Sequence, residues 1–593
     1  MAETSSTGTR NAPRDDFVHL HVHTDYSMLD GAGKIKDYVA EARRLGQPAL
    51  AITDHGYMFG AYKFYAAAGA AGIKPIIGVE AYMTPGTSRF DRTRVFWGDE
   101  SQRGDDVSAR GSYTHMTLLS RTNEGLHNLM RLDSLASLEG QWGKNPRMDR
   151  ELLSRYSGGL IGTSGCPSSE IQTRLRLGQW DEALRCAGEL QDVFGRDFFY
   201  VELMDHGLEI EQRVTKDLLR LAEKIGAPLL ATNDSHYVRP EDRTIQDAML
   251  CINSGSVLSD PDRFKFDGDT YYLRPGAEMR RLFTEMPTAC DNTLLVAEQC
   301  DVSFQTVDEG ASFMPVFPVP EGETMESWFV SECWSGMERR FGGNIPPECR
   351  KQADYEIGVI TQMGFPGYFL VVADYINWAK RQGIRVGPGR GSGAGSMVAY
   401  AMGITELNPL EHGLIFERFL NPERISMPDI DVDFDERRRD EVIEYVKRKY
   451  GEDKVSQVVT YGVIKAKQSL KDSSRVMGYP YAVGDRLTKA MPPTVQGKDI
   501  TIKGIFNPSD ERYGEAEEFR KLHTEDADAQ KIVELAKGLE GMTRQWGVHA
   551  CAVIMSSTTL TDIIPMMQRV QDGAYITQFD YPTCEHLGLL KMD

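Results

Sequence analysis

Ser426-Met427-Pro428-Asp429-Ile430-Asp431-Val432-Asp433-Phe434 alternates carboxylate and apolar side chains with a period of two. That period predicts a strand with the aspartates on one face and Ile430, Val432 and Phe434 on the other. Pro428 suits the start of a strand, where a missing N–H costs no ladder bond. Like charges side by side on a strand face repel, and aspartate is a poor strand former. A divalent cation removes that repulsion, and hard oxygen ligands around an open position suit Mg²⁺. The good apolar face argues against a merely solvated acidic edge strand.

Upstream, Val386-Gly387-Pro388-Gly389-Arg390-Gly391-Ser392-Gly393-Ala394-Gly395-Ser396 leads into the apolar run Met397-Val398-Ala399-Tyr400-Ala401-Met402. A glycine-rich loop opening a helix offers backbone N–H groups and the positive end of the helix dipole to an anion. No lysine follows the glycines, so this is not the loop of the P-loop NTPases. An ordinary dinucleotide fold has no acidic ladder downstream of its phosphate loop. Loop and ladder together predict a triphosphate held beside a metal pair, the requirement of nucleotidyl transfer.

Over GPGRGSGAGS (387–396) and FERFLNPERISMPDIDVDF (416–434) the chain resembles the palm of the bacterial replicative DNA polymerase III α-subunit family, the family-C polymerases. The similarity begins at about Phe17. It implies a polymerase β-like α+β nucleotidyltransferase palm over 305–460 and 541–593, with an inserted helical thumb at 461–540. Gly391 and Ser392 would meet the incoming triphosphate with Arg390 beside them, and Arg418 and Lys591 would also bind substrate. Asp429, Asp431 and Asp593 match the catalytic carboxylates that hold two Mg²⁺. Asp433 shares their strand face, so geometry alone does not choose between Asp429–Asp431 and Asp431–Asp433. The resemblance further implies primer-template DNA and dNTPs as substrates. In a full-length protein it implies the sliding clamp and clamp loader as partners. The family's fingers, clamp-binding and OB regions have no counterpart in these 593 residues, so the expectation is a chain cut at its third catalytic aspartate.

A chain of 593 residues is too long for one core, and about two to four domains are expected. Hydrophobic content of 41% and a mean hydropathy of −0.39 are those of an ordinary soluble protein, and no apolar run has the length of a membrane span. Residues 1–16 are polar and read as a disordered lead-in. Nine cysteines, an odd number without a C-x-x-C pair, point to a reducing cytoplasm. The net charge of −20 argues against DNA binding. Arg437, Arg438 and Arg439, then Lys447, Arg448 and Lys449, then Lys465, Lys467, Lys471 and Arg475 nevertheless form local basic clusters beyond the ladder.

Between residues 17 and about 240 short apolar runs alternate with helical patterns. The runs are 17–24, 48–55, 74–83, 114–120, 160–166, 198–204 and 228–236. This alternation predicts a parallel barrel of roughly seven units with its chemistry at the C-terminal strand ends. Metal-binding residue types sit there: His21 and His23 on one face, Asp30 just beyond, then His55, Glu80, His115, Cys166, Asp234 and His236. Five of the chain's 12 histidines are in this set. H-x-H and D-x-H pairs with carboxylates suit a multinuclear Zn²⁺ or Mn²⁺ site.

This half resembles the PHP domain, a family of metal-dependent phosphoesterases with a distorted (β/α)₇ barrel and a site for up to three ions. The family's ligand motifs fall on those nine residues without departure, and residues 17–304 are assigned to it. A complete set implies a 3′–5′ proofreading exonuclease. The chain as a whole is thus expected to be multidomain α/β. The alternative function is a stand-alone PHP-type phosphoesterase with a nucleic-acid-binding module, which would need neither ladder nor glycine loop.

Overall fold

The computed structural model describes residues 16–423 and 428–592. It divides into two compact units, Met1–Ser303 with Tyr461–Gly547, and Phe304–Thr460 with Val548–Asp593.

In the first unit, β1 (Ala49–Ile52), β2 (Lys74–Met83), β3 (Thr114–Ser120), β4 (Arg147–Met148), β5 (Leu160–Thr163), β6 (Phe199–Leu203) and β7 (Leu229–Ala231) form one sheet of order β1-β2-β3-β5-β6-β7, with β4 beside β2. The expected all-parallel arrangement is corrected here, because β3 runs antiparallel to both β2 and β5. A crossover between parallel neighbours is usually an α-helix packed on the sheet. The segment between β2 and β3 is long but irregular, with only the short turns Glu100–Gln102 and Ser108–Gly111, so no such helix carries the chain back across the sheet. That segment is anchored by Arg89, whose guanidinium meets Asp149 at 3.0 Å and Glu151 at 2.6 Å.

Residues 17–24 are extended but form no continuous ladder. Ala51 N donates to His19 O and Thr53 N to Val22 O, while His23 N and Ser235 N exchange bonds with Ser235 O and His21 O. The ladder is interrupted because Val22 N donates to Thr53 Oγ1 and Thr24 N to Asp54 Oδ1. This segment still bridges β1 and the chain after β7, closing the curl. Alternation then sorts the side chains: Val18 and Leu20 join Ala49, Ala51, Ile76, Ile161 and Leu230 in the core, and His21 and His23 point the other way.

Residues 461–547 are mainly helical, with Leu470, Leu487, Phe519, Ile532 and Val533 in their own core. Their ends pack on the barrel. Ile464, Val476, Leu539 and Met542 join Ala32, Tyr237, Met249 and Ile252 in one cluster. Buried Asp25 accepts from Thr543 N at 3.0 Å and Thr543 Oγ1 at 2.7 Å, and Lys34 Nζ donates to Glu540 O at 2.6 Å.

The second unit holds the greater part of a sheet of order β10-β11-β8-β9-β12, where β8 is Val455–Val463, β9 Thr543–Met555, β10 Met566–Gln568, β11 Tyr575–Asp580 and β12 Leu590–Met592. Helices Met325–Phe341, Pro366–Arg381 and Arg439–Tyr450 share a core with it through Phe329, Phe369, Val446, Val455 and Leu590. The strand expected at 426–434 is not a strand over its described part. Its only bridge joins Phe434 to Val386, flanked by Gly387 N to Asp433 O at 2.8 Å and Asp435 N to Arg385 O at 3.0 Å. Ile430 N donates instead to the Tyr368 hydroxyl at 2.9 Å, so no ladder extends further. The alternation survives in burial: Ile430 is buried, and Asp429 and Asp433 are exposed. Ser426 and Met427 lie outside the described residues.

Candidate active sites

In the first unit the nine predicted ligands converge. His55 bridges to Glu80 of β2, His115 lies on β3, Cys166 follows β5, and Asp234 and His236 follow β7. Glu80 is central: its carboxylate lies 2.7 Å from His55 Nδ1, 3.0 Å from His115 Nδ1, 3.2 Å from Cys166 Sγ and 3.4 Å from His21 Nε2. Asp234 Oδ1 is 3.1 Å from His23 Nε2 and 3.3 Å from His21 Nε2, and Asp30 Oδ2 is 3.1 Å from His55 Nε2. His236 stacks on His23 at 4.3 Å. Three ligand groups overlap: His23–His55–His236, His21–His23–Glu80 and His55–Glu80–His115. Shared members make adjoining positions, which is the geometry of a multinuclear centre.

The residues fit metal ions by their unmet polar atoms. His21 Nε2, His23 Nε2, His236 Nε2, His55 Nδ1, Asp30 Oδ1, Glu80 Oε2 and Asp234 Oδ1 are buried and make no well-formed hydrogen bond; the short ring-to-carboxylate distances among them are charge contacts without hydrogen-bond geometry. Such atoms are costly to bury, so a concentration of them calls for a ligand. The histidines are also oriented. His21 Nδ1 donates to Glu202 Oε1 at 2.7 Å, His23 Nδ1 to Ser27 Oγ at 3.1 Å, and His236 Nδ1 to Asp234 O at 2.8 Å. With Nδ1 occupied, each Nε2 lone pair is turned to the cluster.

The electrostatics divide the rings. Against the cost of burial, Asp234, Glu202 and Glu80 hold His21 well above the ordinary imidazole range, and Glu80 and Asp30 do the same for His55, so a metal ion there would have to displace a proton. Burial, with His55 and His236 nearby, pushes His23 down to about 3, which keeps its imidazole neutral for coordination. Burial opposes ionisation of Glu80, but His115, His55 and His21 hold its carboxyl well below the ordinary range. Burial and the Glu80 and Asp234 charges push the Cys166 thiol up. A cation held by the cluster would favour the thiolate and oppose that shift. Asp234 adopts a left-handed backbone, φ 45°, held by Asn233, whose Nδ2 donates to Thr270 O at 2.9 Å and Tyr272 O at 2.8 Å. His19 takes no part, its Nε2 bonding Arg274 O at 2.8 Å.

In the second unit the glycine loop faces the acidic segment. Arg390 lies 3.7 Å from Asp431 Oδ1 and 3.4 Å from Asp433 Oδ2, and Lys591 Nζ is 3.9 Å from Asp429 Oδ2. A Cβ on Gly391 would stand 3.7 Å from Asp431 Oδ2, so loop and carboxylate are neighbours. Ser392 opens the turn Ser392–Gly395, which packs against the turn Phe416–Arg418 bearing an exposed Arg418. Asp593 lies outside the described residues. The helix expected to offer its dipole to a phosphate is only Met397–Ala401. Its N-terminal N–H groups are already taken: Met397 N and Val398 N donate to the Glu356 carboxylate, each at 3.0 Å. A phosphate is therefore left to the loop and its arginine.

Two family models match the chain, the PHP domain over residues 19–206 and the bacterial DNA polymerase III alpha NTPase domain over 327–593. The DNA polymerase III subunit alpha of Mycobacterium tuberculosis H37Rv is 56% identical over 580 residues, covering 97% of this chain and 49% of that protein. The subunit of Thermus aquaticus is 41% identical, covering 97% and 50%. The chain belongs to the DNA polymerase III subunit alpha family. It spans about half the length of the curated relatives it matches. A solved structure of a putative metal-dependent phosphoesterase from Bifidobacterium adolescentis is 17% identical over 38% of this chain and 88% of that one, with a TM-score of 0.23.

The sequence pattern did not announce a second set of polar residues behind the barrel ligands. Glu202 on β6 is fully buried and, besides His21, accepts from Thr163 Oγ1 at 2.5 Å and Thr232 Oγ1 at 2.7 Å. Asp54 accepts from Ser27 Oγ at 2.6 Å and Thr24 Oγ1 at 2.8 Å, fixing the serine that holds His23. One trace of it was available: Glu202 is the one charged residue in the apolar run Phe199–Leu203.

Proposed function

We propose that the chain acts in DNA replication as the nucleotidyltransferase part of a template-directed DNA polymerase, with an intrinsic 3′–5′ exonuclease in its PHP domain. The observation that carries the first part is the apposition of the glycine loop and the acidic segment: Arg390 within 4.0 Å of Asp431 and Asp433, and Lys591 near Asp429. A stand-alone phosphoesterase would need no such second site. We assign the palm to 305–460 and 541–593 and the thumb to 461–540. Primer-template DNA and dNTPs are the substrates, and the clamp and clamp loader are partners of the longer protein. We place it in the cytoplasm; no single helix among the described residues is long and apolar enough to cross a membrane.

In this reading Asp429, Asp431 and Asp593 would hold two Mg²⁺, whose chemistry would be to lower the pKa of the primer 3′-hydroxyl and to offset charge on the leaving pyrophosphate. Arg390 leaves its carboxylate neighbours to meet the triphosphate, and Gly391 and Ser392 let the backbone approach it. Arg418 and Lys591 add positive charge around the phosphates. At the barrel site the nine ligands would hold up to three Zn²⁺ or Mn²⁺, whose chemistry would be Lewis acidity and a water of lowered pKa. There Glu202 and Ser27 keep the His21 and His23 rings in the metal-binding tautomer, and burial of the cluster excludes bulk water.

The test uses the chain extended to the full length of its relatives, labelled primer-template and dNTPs. Primer extension that requires Asp431 and 3′ removal that requires His21 and Asp234 are expected. Extension unchanged in Asp431→Asn would overturn the polymerase assignment, and 3′ removal unchanged in Asp234→Asn would overturn the exonuclease.

A further inference from the structure

Phe264, Lys265 and Phe266 form the tip of a segment fixed at both ends. On one side Leu258 N donates to Val476 O at 2.7 Å, and Arg263 pairs with Asp247 at 2.6 Å. On the other, Tyr271 O accepts from His236 N at 2.7 Å and Tyr237 N at 3.2 Å, and Thr270 O and Tyr272 O hold Asn233. The tip is thus set beside the metal cluster. The Phe266 ring meets the ligand His236 edge-to-face at 4.6 Å and Tyr271 at 4.9 Å. Phe264 meets Phe266 at 6.2 Å and is 63% exposed, and Lys265 is also exposed.

A singly exposed phenylalanine is common, but Phe264 continues a chain of ring contacts through Phe266 to the His236 ring, so here the exposed ring is one end of an aromatic row that reaches the cluster. The same segment carries Asp260, Asp262, Asp267 and Asp269, so it repels a phosphate backbone. Base faces carry no net charge and stack on aromatic rings whatever their sequence. We propose that Phe264 and Phe266 are a stacking platform for unpaired nucleobases at the 3′ end of a DNA strand whose terminal phosphodiester enters the barrel site. This rests on the exonuclease assignment above and adds its selectivity. A base in a duplex end is already stacked and paired, so only a frayed, mismatched or single-stranded end offers its faces. The platform therefore discriminates without any base-specific hydrogen bond.

Binding and cleavage are measured separately with the 593-residue chain. Fluorescence polarisation reads the Kd for single-stranded DNA with phosphorothioate 3′-terminal linkages, alongside the same strand with abasic 3′-terminal nucleotides. Base–aromatic stacking predicts a roughly tenfold weaker Kd for Phe264→Ala on the normal strand, restored by Phe264→Trp. The abasic strand should bind the wild type about as weakly and be indifferent to the substitution. Metal content by mass spectrometry should be unchanged in both variants, which separates lost stacking from a disturbed centre. Equal Kd values for wild type and Phe264→Ala, or equal losses on normal and abasic strands, would overturn the platform. Cleavage of unmodified strands then reports on the exonuclease assignment. If the metal-loaded wild type removes no nucleotides while the base-dependent Kd difference persists, that assignment fails and the platform stands.

Discussion

His21 Nδ1 and Glu202 Oε1 lie 2.7 Å apart with both side chains fully buried. The carboxylate favours a proton on Nδ1, so that Nε2, which faces Glu80 and Asp234, is the atom that would coordinate once its own proton is displaced. Outer partners of this kind typically change metal affinity by about 10- to 100-fold. Glu202→Ala is expected to lower metal affinity by that order, read by competition with a chelator, and Glu202→Gln to lose less. Unchanged affinity in Glu202→Ala would show that the ring is held by the barrel alone.

Removing the ions should also cost stability. The cluster buries carboxylate and imidazole atoms that make no hydrogen bond, so a bound metal would stabilise the folded state by mass action. Exhaustive chelation is expected to lower the melting temperature by several degrees, on the order of 2–4 kcal/mol for ligand well above its Kd. Re-addition of Zn²⁺ or Mn²⁺ should restore it. A melting curve insensitive to chelator and metal alike would mean that the cluster is satisfied without ions.

How much of this was legible varied with how local the signal was. His21, His23, Asp234 and His236 could be read because period-two alternation puts such pairs on one strand face. Glu80 fell late in the third apolar run and Cys166 at the end of the fifth, in a barrel pattern. What failed was decided by partners distant in sequence. The N–H groups of Val22 and Thr24 go to Thr53 and Asp54, and that of Ile430 to the Tyr368 hydroxyl, which removed two expected strands. The helix after the glycine loop is capped by Glu356, 41 residues before Met397, and no short-range pattern announces such a cap. The direction of β3 depended on a long segment with no periodicity to read.

Glu356 gives a pH prediction. Burial raises its pKa above the ordinary 4.5, although Met397 N, Val398 N, Gln352 and Ser396 all donate to it and favour the ionised form. From 4.5 up to the raised folded value the native chain holds more protons than the unfolded one, so this group's contribution to stability falls as pH rises through that window. Glu356→Gln removes the titration and replaces one acceptor oxygen with a donor. The wild type's advantage over Glu356→Gln in melting temperature should therefore be larger at the acidic end and shrink as pH rises. An advantage that grows with pH would reverse the assigned sign.

Asp25 and Thr543 test how the helical segment is fastened to the barrel. Two hydrogen bonds reach one buried carboxylate oxygen, and Asp25→Ala leaves the Thr543 donors without a partner. Losing a buried acceptor costs about 1–3 kcal/mol. Hydrogen exchange is expected to accelerate in residues 461–547 and much less in β1, β2 and β3. Uniform acceleration throughout the first unit would mean that segment and barrel open together.

The last prediction concerns which carboxylates serve nucleotidyl transfer. Arg390 stands between Asp431 and Asp433, and Lys591 is nearest Asp429, so the basic groups divide the acidic segment unevenly. Asp433 is also tied by its backbone to Gly387, which holds it at the root of the loop. If Asp429 and Asp431 form the metal-binding pair, Arg390 is displaced from Asp431 when metal and triphosphate arrive, and Asp433 remains its anchor. In the chain extended to the length of its relatives, Asp431→Asn and Asp429→Asn are each expected to lower primer extension by on the order of a hundredfold or more, as for loss of preorganised charge at a reacting centre. Asp433→Asn should act chiefly through Arg390, raising the KM for dNTP about tenfold with a smaller effect on kcat. Arg390→Ala should do the same, and the two changes combined should cost less than the product of the separate effects. A steady-state analysis of all four variants decides the matter. Asp433→Asn matching Asp431→Asn in kcat, with Asp429→Asn near wild type, would move the catalytic pair one position along the segment.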